Sequence, residues 1–196
     1  MKVIGLTGSI GMGKSTALAM IARMGIPVFD ADKIARLLTA PGGPALSALE
    51  RHFPDFVRDG IVDRPGLASH VFTRDPERRR LEAVLHPLIA QERERFLRFH
   101  MRGRHAMVVL DIPLLYESRL DPLCDAVILV WAPPFLQQSR VLARPRMDAA
   151  LLAAIRARQM QDSEKKRRAD FLLPSGLGRA LTFRRLRRIF ATIDHA

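Results

Sequence analysis

Nine residues near the N-terminus combine glycine, lysine and hydroxyl side chains at a spacing that suits phosphate binding. They read GSIGMGKST from Gly8 to Thr16 and match G-x-x-x-x-G-K-[ST], with Gly8, Gly13, Lys14 and Ser15 at the required offsets. Glycines let several N–H groups turn into one concavity at a helix N-terminus, where a lysine can reach the outer phosphates and a hydroxyl can ligate Mg²⁺. A glycine-rich turn without chemistry is the alternative, but the full match favours a nucleotide-binding site.

The flanking sequence puts this loop between a strand and a helix. An apolar, β-rich run, KVIGL at residues 2–6, precedes the loop, and Leu18, Ile21 and Ala22 follow it at helical spacing. A loop that joins a buried strand to a helix is the context that phosphate binding by this motif requires. The flanks therefore support the nucleotide-binding interpretation.

Two aspartates follow the second predicted strand, at residues 26–29. Asp30 and Asp32 should lie just past its carboxyl end, the edge at which ligands gather in open α/β sheets. Phosphoryl transfer often needs a carboxylate near the attacking hydroxyl, but aspartate is also a common helix cap. Either residue could cap the next helix, and we interpret Asp32 as the candidate base because its location suits that role.

A third carboxylate ends another apolar run. Residues 107–111 read MVVLD, so Asp111 closes a predicted strand and resembles a carboxylate that holds Mg²⁺ directly or through water. Such patterns are common, but a phosphate-binding loop in the same chain strengthens the interpretation. The apolar stretch after Asp111, which includes Leu114, suits the lining of a substrate pocket.

The segment from residue 140 to 168 is strongly basic, and a solvated helix face explains most of its charges. Arg140 and Arg144 differ because they follow the fourth predicted strand, at 126–131, where a mobile lid would bring guanidinium groups onto a transferring phosphate. His86, which precedes Pro87, could contact a ligand or could simply end a helix. The sequence leaves both interpretations of His86 open.

The remaining patterns predict a parallel sheet covered by helices. A fifth strand is expected at residues 171–173, and helical patterns separate the strands, as parallel connections require. Residues 45–103 read as mainly helical, with a turn region at 53–63 and a helix break at His86-Pro87. The predicted fold class is α/β, a five-stranded parallel sheet flanked by helices, in a single domain with helical insertions.

Composition limits the class of protein. Hydrophobic residues make up 48% of the 196, which supports a folded core, and Cys124 is the only cysteine, so a reducing compartment fits. No apolar run approaches the roughly 20 residues that span a bilayer, and the N-terminus lacks a signal-peptide pattern, so we expect a cytoplasmic protein. The net charge of +12 permits nucleic-acid binding but equally suits polyphosphate substrates.

Together these motifs resemble those of the dephospho-CoA kinases, a family of small-molecule kinases with a phosphate-binding loop (P-loop). The segments occur in the family's order: GLTGSIGMGKST at 5–16, DADKIAR at 30–36, LHPLI at 85–89, DIPLLYE at 111–117, and arginines at 140 and 144. Gln159 and Ala169-Asp170 extend the resemblance over nearly the whole chain. One departure is Pro174-Ser175-Gly176, where the family usually has an Asn-Gly-type loop near the adenine.

The resemblance implies ATP-dependent phosphorylation of the ribose 3′-hydroxyl of dephospho-CoA, the last step of coenzyme A synthesis. It implies a P-loop NTPase fold with a nucleotide-binding core (1–31, 104–139, 169–196), a helical substrate-binding insertion (32–103) and a lid (140–168). The implied cofactors are ATP and Mg²⁺, and we expect a monomer with no membrane and no specific nucleic-acid partner.

Position and resemblance together assign the site residues. We expect ATP to be bound by Gly11, Met12, Gly13, Lys14, Ser15 and Thr16. We expect catalysis to involve Asp32, Lys14, Arg140 and Arg144. Substrate contacts are expected from Asp32, His86 and Leu114, and Mg²⁺ ligation from Ser15 and Asp111.

Two other functions remain open from the sequence. A kinase of another small acceptor, such as a nucleoside or a nucleoside monophosphate, would carry the same loop, and an acceptor panel distinguishes it. A nucleic-acid-associated NTPase or a non-catalytic binder would use the +12 charge. The latter predicts tight binding at physiological salt and a steep loss of affinity with ionic strength.

Overall fold

The computed structural model describes residues 1–72, 74–145 and 147–195, and its chain divides into two compact units. The first unit comprises Met1–Phe29 and His100–Ala196, and the second comprises Asp30–Phe99. The P-loop and Asp111 belong to the first unit. Asp32 and His86 belong to the second.

The described residues of the two units form the following strands and helices. The strands are β1 (Lys2–Thr7), β2 (Val28–Asp30), β3 (Val57–Arg58), β4 (Ile61–Val62), β5 (Met107–Asp111), β6 (Ala126–Trp131) and β7 (Phe171–Pro174). The helices are α1 (Lys14–Arg23), α2 (Ala31–Leu38), α3 (Leu46–His52), α4 (Arg64–Phe72), α5 (Asp75–Arg102), α6 (Pro134–Leu142), α7 (Ala149–Ala157), α8 (Asp162–Arg168) and α9 (Arg179–His195).

A five-stranded sheet in the order β2-β5-β1-β6-β7 forms the centre of the first unit. β1 pairs in parallel with β5 and with β6, and β6 pairs in parallel with β7. The predicted α/β fold with a five-stranded parallel sheet is confirmed. In the β1–β5 register, Leu6 lies opposite Asp111, so the loop after β1 starts beside the carboxyl end of β5.

Helices α1 and α9 pack their apolar stripes against this sheet. The cluster contains Ile4 and Leu6 of β1, and neighbouring strands add Val109, Ile128, Val130 and Leu173. From the helices it contains Ala17, Ile21, Leu186, Phe190 and Ile193. The buried residues of α9, which are Thr182, Leu186, Phe190 and Ile193, recur at helical spacing. Ile4, Gly5 and Leu6 of β1 are buried, as the middle of a central parallel strand requires.

The second unit has its own apolar core and a small hairpin. Leu38, Leu49, Phe53 and Val71 are among its buried residues. The predicted turn region at 53–63 contains the antiparallel pair β3–β4, which the turn signals alone did not indicate. At the end of α2, Leu38 is buried in this core, whereas Leu37 is 57% exposed.

The predicted helix break at His86-Pro87 is wrong. α5 runs without interruption from Asp75 to Arg102, with Pro87 inside it. A proline removes one backbone hydrogen bond, but apolar side chains at helical spacing on both sides of it pack on the core of the second unit. They are Leu81, Val84, Leu85, Leu88 and Ile89. Burial of this continuous stripe outweighs the lost hydrogen bond.

In the part of the chain that the structure describes, no helix combines the length and the apolar character needed to cross a membrane.

Candidate nucleotide-binding site

The loop between β1 and α1 needs glycine at three of its positions. Gly11 and Gly13 have φ of +75° and +89°, which side chains with a Cβ rarely adopt. At Gly8, a Cβ would lie 2.7 Å from the Val130 carbonyl oxygen. These glycines allow the chain to fold back tightly and start α1 at Lys14.

The N-terminus of α1 offers donors to an anion. Gly13 is the N-cap residue, and within the described chain no side chain caps it by a hydrogen bond. The N–H groups in the first turn of a helix lack intrahelical acceptors, so those at Lys14 and Ser15 can point at phosphate oxygens. The side chains of Ser15 and Thr16 in this turn are exposed. This arrangement fits the phosphates of a nucleoside triphosphate.

Lys14 and Asp111 form an ion pair at the end of β5. Lys14 Nζ lies 2.6 Å from Asp111 Oδ1, and the two side chains are 14% and 5% exposed. The pair follows from the sheet, because β1 and β5 are neighbours and their carboxyl ends meet at one edge. Two residues that the sequence assigned separately, one to phosphate and one to Mg²⁺, are therefore brought into contact.

The residues available for Mg²⁺ are oxygen donors. Asp111 supplies a carboxylate and Ser15 a hydroxyl in the first turn of α1. Magnesium is typically held by one or two carboxylates together with substrate phosphates and water. Among the described residues, no three His, Cys, Asp or Glu side chains cluster as a preformed metal cage.

Arg140, near the end of α6, reaches the P-loop. Its Nη1 donates to Ser175 Oγ at 3.0 Å and its Nη2 to the Ser175 carbonyl at 3.0 Å, and Nη1 lies 3.5 Å from the Gly11 carbonyl. Ser175 Oγ donates to the Met12 carbonyl at 2.5 Å. Ser175, which belongs to the segment that differs from the family pattern, therefore contacts the P-loop directly.

Arg144, the other arginine that the sequence assigned to this site, is placed differently. Arg144 follows the end of α6, and its side chain is exposed. Arg146, which belongs to the same basic stretch, lies outside the described residues. The structure thus brings Arg140 and the P-loop together and leaves Arg144 at the surface.

Several residues that hold the loop were not among the assigned site residues. Gln137 Nε2 donates to the Ile10 carbonyl at 2.8 Å, and Lys165 Nζ lies 3.3 Å from Ser9 Oγ. Lys165 stands in a basic run, where the sequence suggested only a solvated face. Two neighbouring residues, Gln159 and Glu117, lie in segments that carry the family resemblance. That resemblance was the only signal in the sequence for this part of the site.

The first unit also contains Leu114 and Tyr116, just after β5. Leu114 is 40% exposed. The Tyr116 hydroxyl is buried and has no hydrogen-bond partner among the described residues. Burial raises the pKa of Tyr116 to about 12, and the carboxylates of Asp170 and Asp121 act in the same direction.

In the second unit, Asp30 and Asp32 lie at the start of α2, on either side of Ala31. Asp30 caps α2, since its Oδ1 accepts a hydrogen bond from the Lys33 N–H at 2.8 Å. Asp32 lies in the first turn of α2 with its side chain exposed. His86 is exposed on α5 and does not end a helix.

A comparison with known proteins gives a consistent result. The family model for dephospho-CoA kinase matches residues 2–177. A dephospho-CoA kinase from Paramagnetospirillum magneticum is 52% identical over 166 residues, which cover 85% of this chain and 78% of the relative.

Solved structures agree with the fold. A crystal structure from Thermus thermophilus superposes with a TM-score of 0.82 at 34% identity and covers 97% of each chain. The dephospho-CoA kinase from Campylobacter jejuni superposes with a TM-score of 0.66 at 24% identity, covering 100% of this chain and 98% of its own. At that identity, the second likeness concerns the fold alone.

Proposed function

This chain belongs to the dephospho-CoA kinase family and is a kinase, and from this premise we propose its reaction. It transfers the γ-phosphoryl group of ATP to the ribose 3′-hydroxyl of dephospho-CoA, giving coenzyme A and ADP in the final step of coenzyme A synthesis. The observation that carries the proposal is the family match over residues 2–177, a range that includes every assigned site residue.

In the proposed reaction, the 3′-hydroxyl oxygen forms a bond to the γ-phosphorus and the bond to the β,γ-bridging oxygen breaks. The hydroxyl proton passes to the Asp32 carboxylate, which acts as the base. The loop amides from Gly11 to Thr16 and the Lys14 ammonium hold the phosphates. Ser15 and Asp111 would hold Mg²⁺, which would supply charge neutralisation at the phosphate oxygens.

The remaining assignments concern orientation. Arg140 supports the P-loop through Ser175 and is proposed to approach the transferring phosphate, together with Arg144. His86 and Leu114 are proposed to contact dephospho-CoA. We further propose that residues 140–168 act as a lid, that residues 32–103 bind substrate, and that the protein works as a cytoplasmic monomer without a nucleic-acid partner.

The reaction is tested by a coupled ADP-release assay with Mg-ATP. The acceptors are dephospho-CoA, adenosine, AMP and none, and the product mass is measured. We expect release that depends on dephospho-CoA and a product heavier by one phosphate group. Faster release with adenosine or AMP would contradict the proposed acceptor and favour a kinase of nucleosides or nucleotides.

The role of Asp32 is tested by Asp32→Asn. Loss of a general base lowers turnover by about 10²-fold or more, and ATP affinity should stay nearly unchanged because the base does not hold phosphate. Steady-state kinetics and ATP calorimetry measure the two effects.

Asp30→Asn is the matched control, because asparagine caps helices about as well as aspartate. We expect its turnover to stay within a few-fold of the wild-type value. Equal turnover in the two variants would remove Asp32 from the chemistry.

A further inference from the structure

The first half of the P-loop is held by side chains of the segment that runs from α6 to the end of α8. We propose that Lys165 of α8 is a positioning residue that sets nucleotide affinity by fixing Ser9, and that Gln137 and Gln159 complete the restraint at Ile10. This inference rests on the nucleotide-binding part of the proposed function.

Lys165 is a cation without access to water. Its side chain is 0% exposed, its Nζ lies 2.8 Å from Glu117 Oε1, and the same Nζ lies 3.3 Å from Ser9 Oγ. The Ser9 hydroxyl donates its proton to Asp162 Oδ1 at 2.7 Å, so its lone pairs face the ammonium. Ser9 is therefore fixed as both donor and acceptor by two residues of α8.

Glu117 links this ion pair to the chain before α8. Its Oε1 also accepts a hydrogen bond from the Met160 N–H at 2.8 Å, and within the described chain its buried Oε2 has no partner. Because this carboxylate accepts so few hydrogen bonds, its negative charge depends on the Lys165 ammonium for compensation. Glu117 thus holds the ammonium at the position from which it reaches Ser9.

The backbone of Ile10 is held on both sides. Gln159 Oε1 lies 3.3 Å from the Ile10 N–H that donates to it, and Gln137 Nε2 donates to the Ile10 carbonyl at 2.8 Å. Arg156 donates to Gln137 Oε1 from two nitrogens, at 2.5 and 3.1 Å, which fixes the orientation of that amide. Ser9 and Ile10 therefore enter the loop with little freedom.

This restraint has a direct consequence for binding. The N–H groups that meet phosphate follow Ile10 by only a few residues, and Gly11 and Gly13 can adopt many other conformations. A loop that is already held in its binding conformation loses less conformational entropy when a nucleotide binds. Lys165 acts on affinity through Ser9, without any need to touch the nucleotide.

The experiment separates positioning from simple stabilisation. The variants are Lys165→Met, Glu117→Gln, the double variant Lys165→Met/Glu117→Gln, and Ser9→Ala. ADP and ATP affinities are measured by calorimetry without an acceptor, and stability by urea unfolding. Removing one partner of a buried ion pair strands the other charge, whereas removing both charges relieves that penalty.

We expect Lys165→Met to weaken ADP and ATP binding by about tenfold, the effect of losing one hydrogen bond to a charged group. Saturating ATP should restore turnover to within a few-fold, and the KM for dephospho-CoA should not change. The double variant should recover most of the urea midpoint but keep the weakened affinity. Ser9→Ala should weaken binding in the same direction while the ion pair stays intact.

The double variant and Ser9→Ala decide the outcome even if Lys165→Met fails to fold. Nucleotide affinity at the wild-type level in either one overturns the inference, because the ion pair would then serve stability alone. Ile193→Val in the buried stripe of α9 is the control for a general loss of stability and should keep wild-type affinity. If the wild-type protein showed no turnover of dephospho-CoA but these variants still bound nucleotide more weakly, the proposed reaction would be overturned and this inference would stand.

Discussion

At the residue scale, Lys14, which is assigned to phosphate, and Asp111, which is assigned to Mg²⁺, form an ion pair. Their atoms are 2.6 Å apart in a setting with little water, so each charge compensates the other. Because Lys14 keeps some exposure, the pair is less costly to break than a fully buried one. Asp111 is also the only assigned carboxylate in the first unit, so changing it should affect metal binding more than phosphate binding.

We therefore expect Asp111→Asn to raise the Mg²⁺ concentration for half-maximal activity by about tenfold or more, since one ligand loses its charge. The measurement is a Mg²⁺ titration of the initial rate at fixed ATP. ADP affinity without Mg²⁺, measured in parallel, reports whether the loop stays intact. An unchanged Mg²⁺ requirement would show that Asp111 serves only as the partner of Lys14.

Tyr116 gives a second prediction at this scale. The hydroxyl ionises near pH 10 in the unfolded chain and near pH 12 in the folded one, so its contribution to stability is complete below pH 10 and is lost as the pH rises toward 12. In urea unfolding, Tyr116→Phe should be neutral or stabilising by up to about 1 kcal/mol at pH 7, because a buried hydroxyl without a partner is removed.

The same variant should lose stability less steeply than the wild type above pH 10. Unfolding midpoints at pH 7, 10 and 11 measure this difference. Parallel curves for the two proteins over that range would mean that Tyr116 ionises alike in both states.

At the element scale, α5 is the main departure from sequence rules. Its proline lacks an N–H and crowds the preceding turn, yet the helix continues because the stripe from Leu81 to Ile89 is anchored on both sides of it. The backbone defect persists in the folded helix. Tertiary packing compensates for it.

Pro87→Ala should therefore stabilise the protein by about 1–3 kcal/mol, since an interior proline costs roughly 3 kcal/mol and the surrounding residues have relaxed in part. Thermal and urea unfolding measure the gain. Pro134→Ala, at the first turn of α6 where proline is tolerated, should change stability by less than about 0.5 kcal/mol. A destabilised Pro87→Ala variant would mean that the proline ring itself is needed for packing.

At the scale of the whole molecule, the basic residues that give the chain its positive charge lie in several different environments. Lys165 is buried in an ion pair, Arg140 bonds the chain after β7, and Lys166 lies 3.6 Å from the centre of the Trp131 ring. Other arginines, including Arg184 and Arg188 of α9, are exposed. A charge divided in this way suits small anionic substrates better than one continuous groove for a polyanion.

We expect no binding of a 20-base-pair DNA duplex tighter than about 10 μM at 150 mM salt, where non-specific affinities generally lie between 10⁻⁴ and 10⁻⁶ M. Fluorescence anisotropy over a series of salt concentrations measures this, with single-stranded DNA in parallel. Micromolar binding that weakens steeply as salt rises would instead support a nucleic-acid partner for the +12 chain.

The sequence by itself determined the P-loop, the strand before it, the helix after it and the α/β class. A continuous apolar run at 126–131 and the MVVLD run at 107–111 have the same bounds in the structure as β6 and β5, because fully buried parallel strands are marked by local composition. The fifth strand, expected at 171–173, extends by only one residue to Pro174 in the structure.

Tertiary structure alone decided how the loop is held. Lys165 and Ser9 are 156 positions apart, and Arg140 and Ser175 are 35 apart, so no local pattern connects them. A lysine in a basic run has the same neighbours in sequence whether it is solvated or buried, and only the packing of α8 excludes water from Lys165. The continuity of α5 through Pro87 has a similar origin, because the free energy that keeps it helical comes from the core it covers.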